Sequence, residues 1–207
     1  MQDVTALFWD VGGVILSNGW DRGARQKASD KFGLDWEEMQ DRHDLASPAF
    51  ETGKITLDMY LERIVFYRKR AFTREEFTDF IFAQSFEFPE SRAVLSSVAK
   101  SGKYLLATIN NEAMELNERR IQEFHLRREF KAFFSSCYLG IRKPDEGIYK
   151  LALEVTQRKP EECLFIDDRE LNLECAQQLR MRTIRFQDAA QLRRELAENG
   201  VAVAETP

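Results

Sequence analysis

The pattern of apolar positions along the chain predicts a parallel sheet. Four short segments are largely apolar on both alternating faces, which is typical of strands buried on both faces, and residues 182–186 form a fifth predicted strand near the end of the chain. Helical patterns lie between the last three segments, and in one of them Ile148, Ala152 and Val155 share a face. Strands that alternate with helices predict an α/β fold with a doubly wound, Rossmann-like parallel sheet. The predicted strands are residues 4–9, 104–109, 133–138, 163–166 and 182–186.

The spacing of the first two predicted strands indicates an insertion. About ninety residues separate them, whereas a simple crossover between parallel strands needs only about a dozen. In this stretch Asp35 and Thr73 are each followed three positions later by Glu, which is typical of helix N-termini, and Pro89 is suited to begin the next helix. Residues 201–207 are expected to form a frayed tail. We predict a Rossmann-like core and an inserted, small all-helical cap, with bounds 1–18 and 88–207 for the core and 19–87 for the cap.

Composition and charge narrow the class of protein. Of the 207 residues, 30 are Lys or Arg and 35 are Asp or Glu, so the formal net charge is -5. This mild acidity argues against nucleic acids and membrane surfaces as partners. No segment approaches the roughly 20 apolar residues of a membrane span, and no basic stretch precedes an apolar run near Met1. We therefore expect a cytoplasmic protein, with the choice between monomer and homodimer left open.

Candidate chemistry lies where the predicted strands end. Asp10 follows the first strand, Asn110 the second, and Asp167 and Asp168 the fourth, while Lys143 lies in the segment after the third. In an open parallel sheet these ends meet at one edge, where the functional crevice lies. Carboxylates a few ångströms apart repel each other unless a cation lies between them, and their hard oxygens favour Mg²⁺ over zinc or copper. With a lysine beside the metal, the site is expected to attract an anion such as phosphate.

Three motifs, in this order, resemble those of the haloacid dehalogenase (HAD) superfamily of aspartate-nucleophile hydrolases. They are FWDVGGV at residues 8–14, GIRKPDEGIY at 140–149, and FIDD at 165–168 with Asn172 beyond it. Together they extend the resemblance over nearly the whole chain. It implies a Rossmann-like core with a helical cap inserted after the first motif, in agreement with the insertion that the spacing indicates.

The resemblance also implies roles for individual residues. Asp10 would be the nucleophile that attacks phosphorus, forming an aspartyl-phosphate that water then hydrolyses. Lys143 would neutralise the nucleophile and the transferring phosphoryl group. Mg²⁺ would be the cofactor, held by the carboxylates of Asp10, Asp167 and Asp168 and by the backbone carbonyl of Gly12. Phosphate would be bound by Lys143 and by the backbone amides of Val11, Gly12 and Asn110.

Two positions depart from the family pattern. Gly12 stands where the phosphatase branch usually has a second Asp that acts as general acid and base, although a sugar-phosphatase subgroup also has Gly there. The replacement acid is left open, with His43 as a candidate from the cap. The second departure is Ile109, at the position of the family's phosphate-binding Ser or Thr. Thr108 precedes it and is expected on the opposite face of the strand.

The leading hypothesis is therefore a Mg²⁺-dependent phosphatase acting on a small phosphorylated metabolite, such as a sugar phosphate. One alternative is a metal-independent 2-haloacid dehalogenase that uses the same Asp10 nucleophile. Asp167 and Asp168 argue against it, because the family's dehalogenases lack this acidic pair. The other alternative is a non-catalytic HAD-like binding protein, an option motivated by Gly12 and Ile109.

Overall fold

The apolar segments form one parallel sheet in the computed structural model, which describes residues 3–203. Within these residues the sheet has five strands in the order β3-β2-β1-β4-β5. This arrangement confirms the predicted α/β fold class. The strands are β1 Ala6–Trp9, β2 Leu105–Asn110, β3 Ala132–Ser135, β4 Cys163–Asp167 and β5 Arg182–Arg185.

The central strand shows why the strands are apolar at successive positions. Side chains of a strand point alternately to its two faces. In β1, Leu7 and Trp9 belong to the apolar cluster on one face of the sheet, while Ala6 and Phe8 belong to the cluster on the other. All four are fully buried because helices cover both faces, and this burial requires a continuous apolar run.

Ten α-helices surround the sheet in the part of the chain that the structure describes. Four of them, α1 to α4, lie between β1 and α5, and we call them the helical insertion. No helix within residues 3–203 is both long enough and apolar enough to cross a membrane. The helices are α1 Arg22–Phe32, α2 Trp36–Glu51, α3 Leu57–Ile64, α4 Arg74–Phe82, α5 Pro89–Lys100, α6 Met114–Glu123, α7 Ser136–Leu139, α8 Glu146–Thr156, α9 Glu170–Gln178 and α10 Ala189–Glu198.

Side-chain caps begin the helices of the insertion where the sequence predicts them. Asp35 accepts a hydrogen bond from the amide of Glu38 at 2.9 Å. Thr73 accepts from the amide of Glu76 at 3.1 Å, and the Glu76 carboxylate accepts from the amide of Thr73 at 2.7 Å, which completes a capping box. Pro89 is the first residue of α5, as predicted.

The insertion has an apolar cluster of its own, built on Tyr60, Phe77 and other buried side chains. Ala113 and Leu116, which follow β2, also belong to this cluster. The insertion therefore packs directly on the edge of the sheet where the carboxyl ends of the strands lie. The proposed boundaries of core and cap, between residues 18 and 19 and between 87 and 88, remain predictions.

Two segments differ from the prediction. The third strand ends at Ser135, and α7 replaces the predicted strand residues 136–138. The chain turns there because the Ser136 hydroxyl donates to the carbonyl of Glu51 at 2.6 Å, so this segment meets the insertion and leaves the sheet. The predicted frayed tail is wrong for residues 201–203, since Val201 is buried and the Ala202 amide donates to the Tyr104 hydroxyl at 2.7 Å. Residues 204–207 lie outside the described part of the chain.

Gly53 allows the insertion to approach the sheet closely, and this predicts a large cost for Gly53→Ala. Its φ is +69°, and an added Cβ would overlap the carbonyl oxygen of Cys137. Gly33 is a matched control, because its φ is +60° and an added Cβ would meet no described atom within 4 Å. We expect Gly33→Ala to lower the free energy of unfolding by about 1 to 2 kcal/mol through backbone strain, and Gly53→Ala to lower it by clearly more. Urea titration of both variants measures the difference, and equal losses would contradict the close packing at Cys137.

Candidate active site

Three carboxylates converge at the carboxyl edge of the sheet. Asp10 directly follows β1, and its amide donates to the carbonyl of Ile166 in β4 at 2.8 Å. Asp167 is the last residue of β4, and Asp168 follows it. Since β1 and β4 are parallel neighbours, the three side chains reach the same place, and each offers an oxygen within 4.8 Å of the others. The predicted grouping of acidic residues is thus present in the structure.

Lys143 lies between two of these carboxylates. Its Nζ atom is 3.0 Å from Oδ1 of Asp10 and 2.6 Å from Oδ2 of Asp167. Asn111 holds the loop that carries the lysine: its side-chain amide donates to the Lys143 carbonyl, and its Oδ1 accepts from the Lys143 amide, both at 2.8 Å. The sequence places Asn111 at the sheet edge with Asn110 but indicates no specific role for it. Its position beside Asn110 at the end of β2 was the available signal.

The electrostatics of the cluster favour a bound cation. Burial raises the pKa of Asp10 to about 7; Lys143 opposes this shift, and Asp167 adds to it. The pKa of Asp168 is raised as well, first by burial and then by Asp167. The two carboxylates that contact Lys143 outweigh the effect of its burial and raise its pKa. One lysine therefore faces three carboxylates, and the cluster retains an excess of negative charge when all are ionised.

Asp167 and Asp168 differ sharply in how their oxygens are satisfied. Asn172 donates its side-chain amide to both Asp167 oxygens at 3.0 Å, and the amide of Arg169 donates to Oδ1 at 2.8 Å. In contrast, Oδ1 of Asp168 is buried and has no hydrogen-bond partner among the residues that the structure describes. An unpartnered buried carboxylate oxygen beside two other carboxylates fits a hard cation such as Mg²⁺, with Asp10, Asp167 and Asp168 as its carboxylate ligands.

The loop after β1 packs tightly against the acidic residues. Gly13 has φ of +76°, and a Cβ there would lie 2.5 Å from Oδ2 of Asp168. This position therefore requires glycine. The amide of Val11, a candidate phosphate donor, donates to Oδ1 of Asp10 at 2.8 Å. Gly12 lies on the cavity wall between these residues, where its backbone carbonyl is the fourth candidate metal ligand.

The end of β2 presents no hydroxyl to the site. Thr108 lies on the same face of the strand as Asn110 and donates to its Oδ1 at 3.3 Å, while Ile109 is buried on the other face, as expected. Asn110 also accepts from Ser135 at 2.9 Å and donates to Asn117 at 3.2 Å. Its side chain therefore takes part in a buried polar network while the residue lines the cavity.

A cavity of about 450 Å³ lies between the sheet edge and the helical insertion. The insertion contributes Trp20, Arg25 and His43 to its wall, residues for which no sequence motif exists. Nδ1 of His43 is 2.6 Å from the hydroxyl oxygen of Tyr60. Burial, helped by the positive charge of Arg25, lowers the pKa of His43 to about 4. Its ring is therefore uncharged at neutral pH, so His43 is unsuited to be the missing general acid.

Comparison with protein families agrees with this geometry. A family model described as haloacid dehalogenase-like hydrolase matches residues 4–179. The chain belongs to the HAD-like hydrolases. The match spans the first four strands of the sheet, β1 to β4, together with the helical insertion and every residue of the carboxylate cluster.

Curated relatives of this HAD-like hydrolase match over shorter regions. Bifunctional epoxide hydrolase 2 of Sus scrofa is 32% identical over 123 residues, which cover 58% of this chain and 22% of that protein. Flavin mononucleotide hydrolase 1 of Arabidopsis thaliana is 37% identical over 71 residues, which cover 34% of this chain and 29% of that protein. The HAD-like chain thus spans about a quarter of the length of the curated relatives it matches.

Solved structures of similar shape include both phosphate-bound and dehalogenase members. A HAD family enzyme of Bacteroides thetaiotaomicron, in complex with magnesium and inorganic phosphate, superposes with a TM-score of 0.76 at 20% identity and covers 91% of this chain and 98% of that one. L-2-haloacid dehalogenase of Xanthobacter autotrophicus, with chloropropionic acid covalently bound, gives 0.63 at 14% identity and covers 96% and 84%. These likenesses show that the HAD-like fold is shared.

The contacts of Asn172 predict how the buried Asp167 is stabilised. Asn172→Ala removes two hydrogen bonds to a carboxylate that is 0% exposed, so we expect the free energy of unfolding to fall by about 1.5 to 3 kcal/mol. Asn172→Asp has nearly the same shape but adds a fourth carboxylate to the cluster, next to Asp167. We expect it to lower the free energy of unfolding by more at neutral pH. Urea unfolding of the metal-free protein measures both changes. An Asn172→Asp variant as stable as the wild type would contradict this account of the site.

Proposed function

We propose that the protein is a Mg²⁺-dependent phosphatase that hydrolyses a small phosphorylated metabolite, such as a sugar phosphate, through an aspartyl-phosphate on Asp10. The observation that carries the proposal is the set of three carboxylates with oxygens within 4.8 Å, in which a lysine contacts two of them and the third has a buried, unpartnered oxygen. The magnesium and phosphate bound by the similar HAD family enzyme of Bacteroides thetaiotaomicron support it.

In this proposal Asp10, Asp167, Asp168 and the Gly12 carbonyl hold the metal. When bound, Mg²⁺ neutralises the clustered carboxylates and the charge of the phosphate. Lys143 favours the ionised form of the Asp10 carboxylate and orients it through the 3.0 Å contact between Nζ and Oδ1. Asn111 fixes the lysine loop, so that the positive charge stays at the same place during the reaction.

The reaction proceeds in two displacements at phosphorus. A carboxylate oxygen of Asp10 forms a bond to phosphorus while the bond to the ester oxygen breaks, and the departing oxygen takes a proton from water and leaves as the alcohol. Water then attacks phosphorus, and the bond to Asp10 breaks to return the carboxylate and free phosphate. The amides of Gly12 and Asn110, with Lys143, bind the phosphoryl oxygens. The Val11 amide joins them only if it releases Oδ1 of Asp10, to which it donates in this structure.

The cluster favours this reaction over haloacid dehalogenation. A metal-free displacement of halide has no use for Asp167 and Asp168, which lie beside Asp10 at the cost of mutual repulsion. The shared fold does not distinguish the two reactions, because one fold supports different chemistries through the residues at its site. The carboxylate cluster therefore outweighs the likeness to dehalogenase structures.

Phosphate release from p-nitrophenyl phosphate tests the nucleophile and the metal together. We expect release with Mg²⁺ that is lost with a chelator, and a loss of at least about a thousandfold in Asp10→Asn with the fold retained by circular dichroism. Asp41→Asn, an exposed change outside the cavity wall, is the control and should keep full activity. Activity retained in Asp10→Asn would overturn the assignment. Halide release from chloropropionate without phosphate release would indicate a dehalogenase. The absence of both activities would favour a non-catalytic binding protein.

Gly12 predicts a strong dependence on the leaving group. Without a carboxylic acid at this position the departing oxygen takes its proton from water, so aryl phosphates should react much faster than alkyl phosphates. Gly12→Asp supplies the acid in backbone geometry that does not require glycine, and an added Cβ lies 3.1 Å from Asn18 Oδ1. We expect this variant to raise alkyl phosphate hydrolysis roughly 10²-fold relative to aryl phosphate, while the Gly12→Asn control does not. Equal wild-type rates for both ester classes would show that another group supplies the proton.

A further inference from the structure

Among the described residues, the cavity wall contains one buried cation that forms no ion pair. Its basic side chains include three buried ones, Arg25, Arg120 and Lys143. Arg120 forms an ion pair with Glu112, and Lys143 pairs with carboxylates of the metal cluster. Arg25 is 7% exposed, yet it forms no ion pair with any carboxylate in the described stretch 3–203. This contrast makes Arg25 the buried cation still available to a negatively charged ligand.

Neutral groups hold the Arg25 guanidinium in place. Its Nη1 donates to the carbonyl of Trp20 at 2.8 Å, and its Nε donates to Oε1 of Gln40 at 3.1 Å. Its Nη2 forms no hydrogen bond to another residue of the described chain. Two carboxylates act on it electrostatically, but Asp21 caps α1 and Asp44 accepts from Gln40. The guanidinium is thus positioned without a bound counter-charge.

A buried cation without an ion pair is costly in a folded protein, because removing a charge from water is unfavourable unless an opposite charge offsets it. Burial lowers the pKa of Arg25, but an arginine still remains protonated at neutral pH. The uncharged His43 ring and the Tyr60 hydroxyl are close by and do not neutralise it. A bound anion would offset this cost, so the arrangement is that of a prepared anion site.

On the basis of the phosphatase function proposed above, we propose that Arg25 binds a second anionic group of the substrate. The substrate class is then a phosphate monoester that also carries a carboxylate or a second phosphate. Arg25 and Asp10 line the same cavity, one from α1 and the other from the end of β1. The volume of about 450 Å³ is that of a small-molecule site and exceeds what a phosphate group and a metal ion alone require. The planar guanidinium suits either anion.

A purely structural role for Arg25 makes a different prediction. If its bonds to Trp20 and Gln40 served only to join the start of α1 to α2, then replacing it would lower turnover of every substrate in the same proportion. Anion recognition instead changes the ratio between substrates that differ only at the far end. The test therefore measures the ratio of kcat/KM between substrates with an anionic and a neutral far end, and not the turnover of one substrate alone.

The substrates are straight-chain phosphate monoesters of increasing length, each made with a carboxylate, a second phosphate or a neutral hydroxyl at the far end. We expect wild-type kcat/KM to be roughly ten- to a hundredfold higher for one anionic series at its best length than for the hydroxyl series. Comparison of the carboxylate and phosphate series identifies which anion is recognised. Arg25→Gln should abolish this preference chiefly through KM while hydroxyl-ended esters keep their kcat/KM, and Arg25→Lys should retain part of it. Arg68→Gln, which makes the same charge change outside the cavity wall, should keep the wild-type ratio.

The outcomes separate this inference from the function on which it rests. Hydrolysis of all three series without preference at any length would overturn the role of Arg25 and leave the phosphatase intact. A preference that survives in Arg25→Gln would also overturn it, as would an equal loss for all three series. Failure of the wild type to hydrolyse any member would overturn the phosphatase and the inference together. The preference is measured first in the wild type, and circular dichroism verifies that each variant is folded before its ratio of kcat/KM values is compared.

Discussion

The mutual repulsion of three carboxylates is the constraint on which the site depends. Asp10, Asp167 and Asp168 meet because β1 and β4 are adjacent and parallel, so their carboxyl ends lie side by side. Such a cluster is stable only if charges and donors oppose the repulsion. Lys143 and Asn172 supply part of that opposition inside the protein. The remaining negative charge favours a bound cation.

The surroundings of the cluster serve to hold these groups at fixed positions. Asn111 clamps the lysine loop from the end of β2, and Gly13 lets the loop after β1 pass close to Asp168. These contacts come from different strands and turns, so the geometry of the site depends on the whole sheet edge. The rigidity of a parallel sheet buried on both faces is what makes such positioning possible.

The helical insertion completes the cavity through a small number of polar contacts with the sheet side. Arg142, next to Lys143, pairs with Glu51 of α2 at 2.6 Å, and the Ser136 hydroxyl donates to the carbonyl of Glu51. Glu115 accepts from the amide of Leu57 at the start of α3. These contacts hold Arg25 and the carboxylate cluster in one cavity. In the proposed function, the chemistry takes place at the sheet edge and the insertion selects the substrate.

By itself the sequence determined the α/β class, the insertion after the first strand and the acidic cluster. These features follow from local patterns: apolar runs mark buried strands, and parallel strands necessarily bring their carboxyl ends to one edge. Only the tertiary structure decided that α7 replaces the end of the third predicted strand, that His43 lies half-buried beside Tyr60, and that Arg25 forms no ion pair with a carboxylate of residues 3–203. Their environments come from residues distant in the chain, brought together by helix packing that amphipathic patterns do not specify.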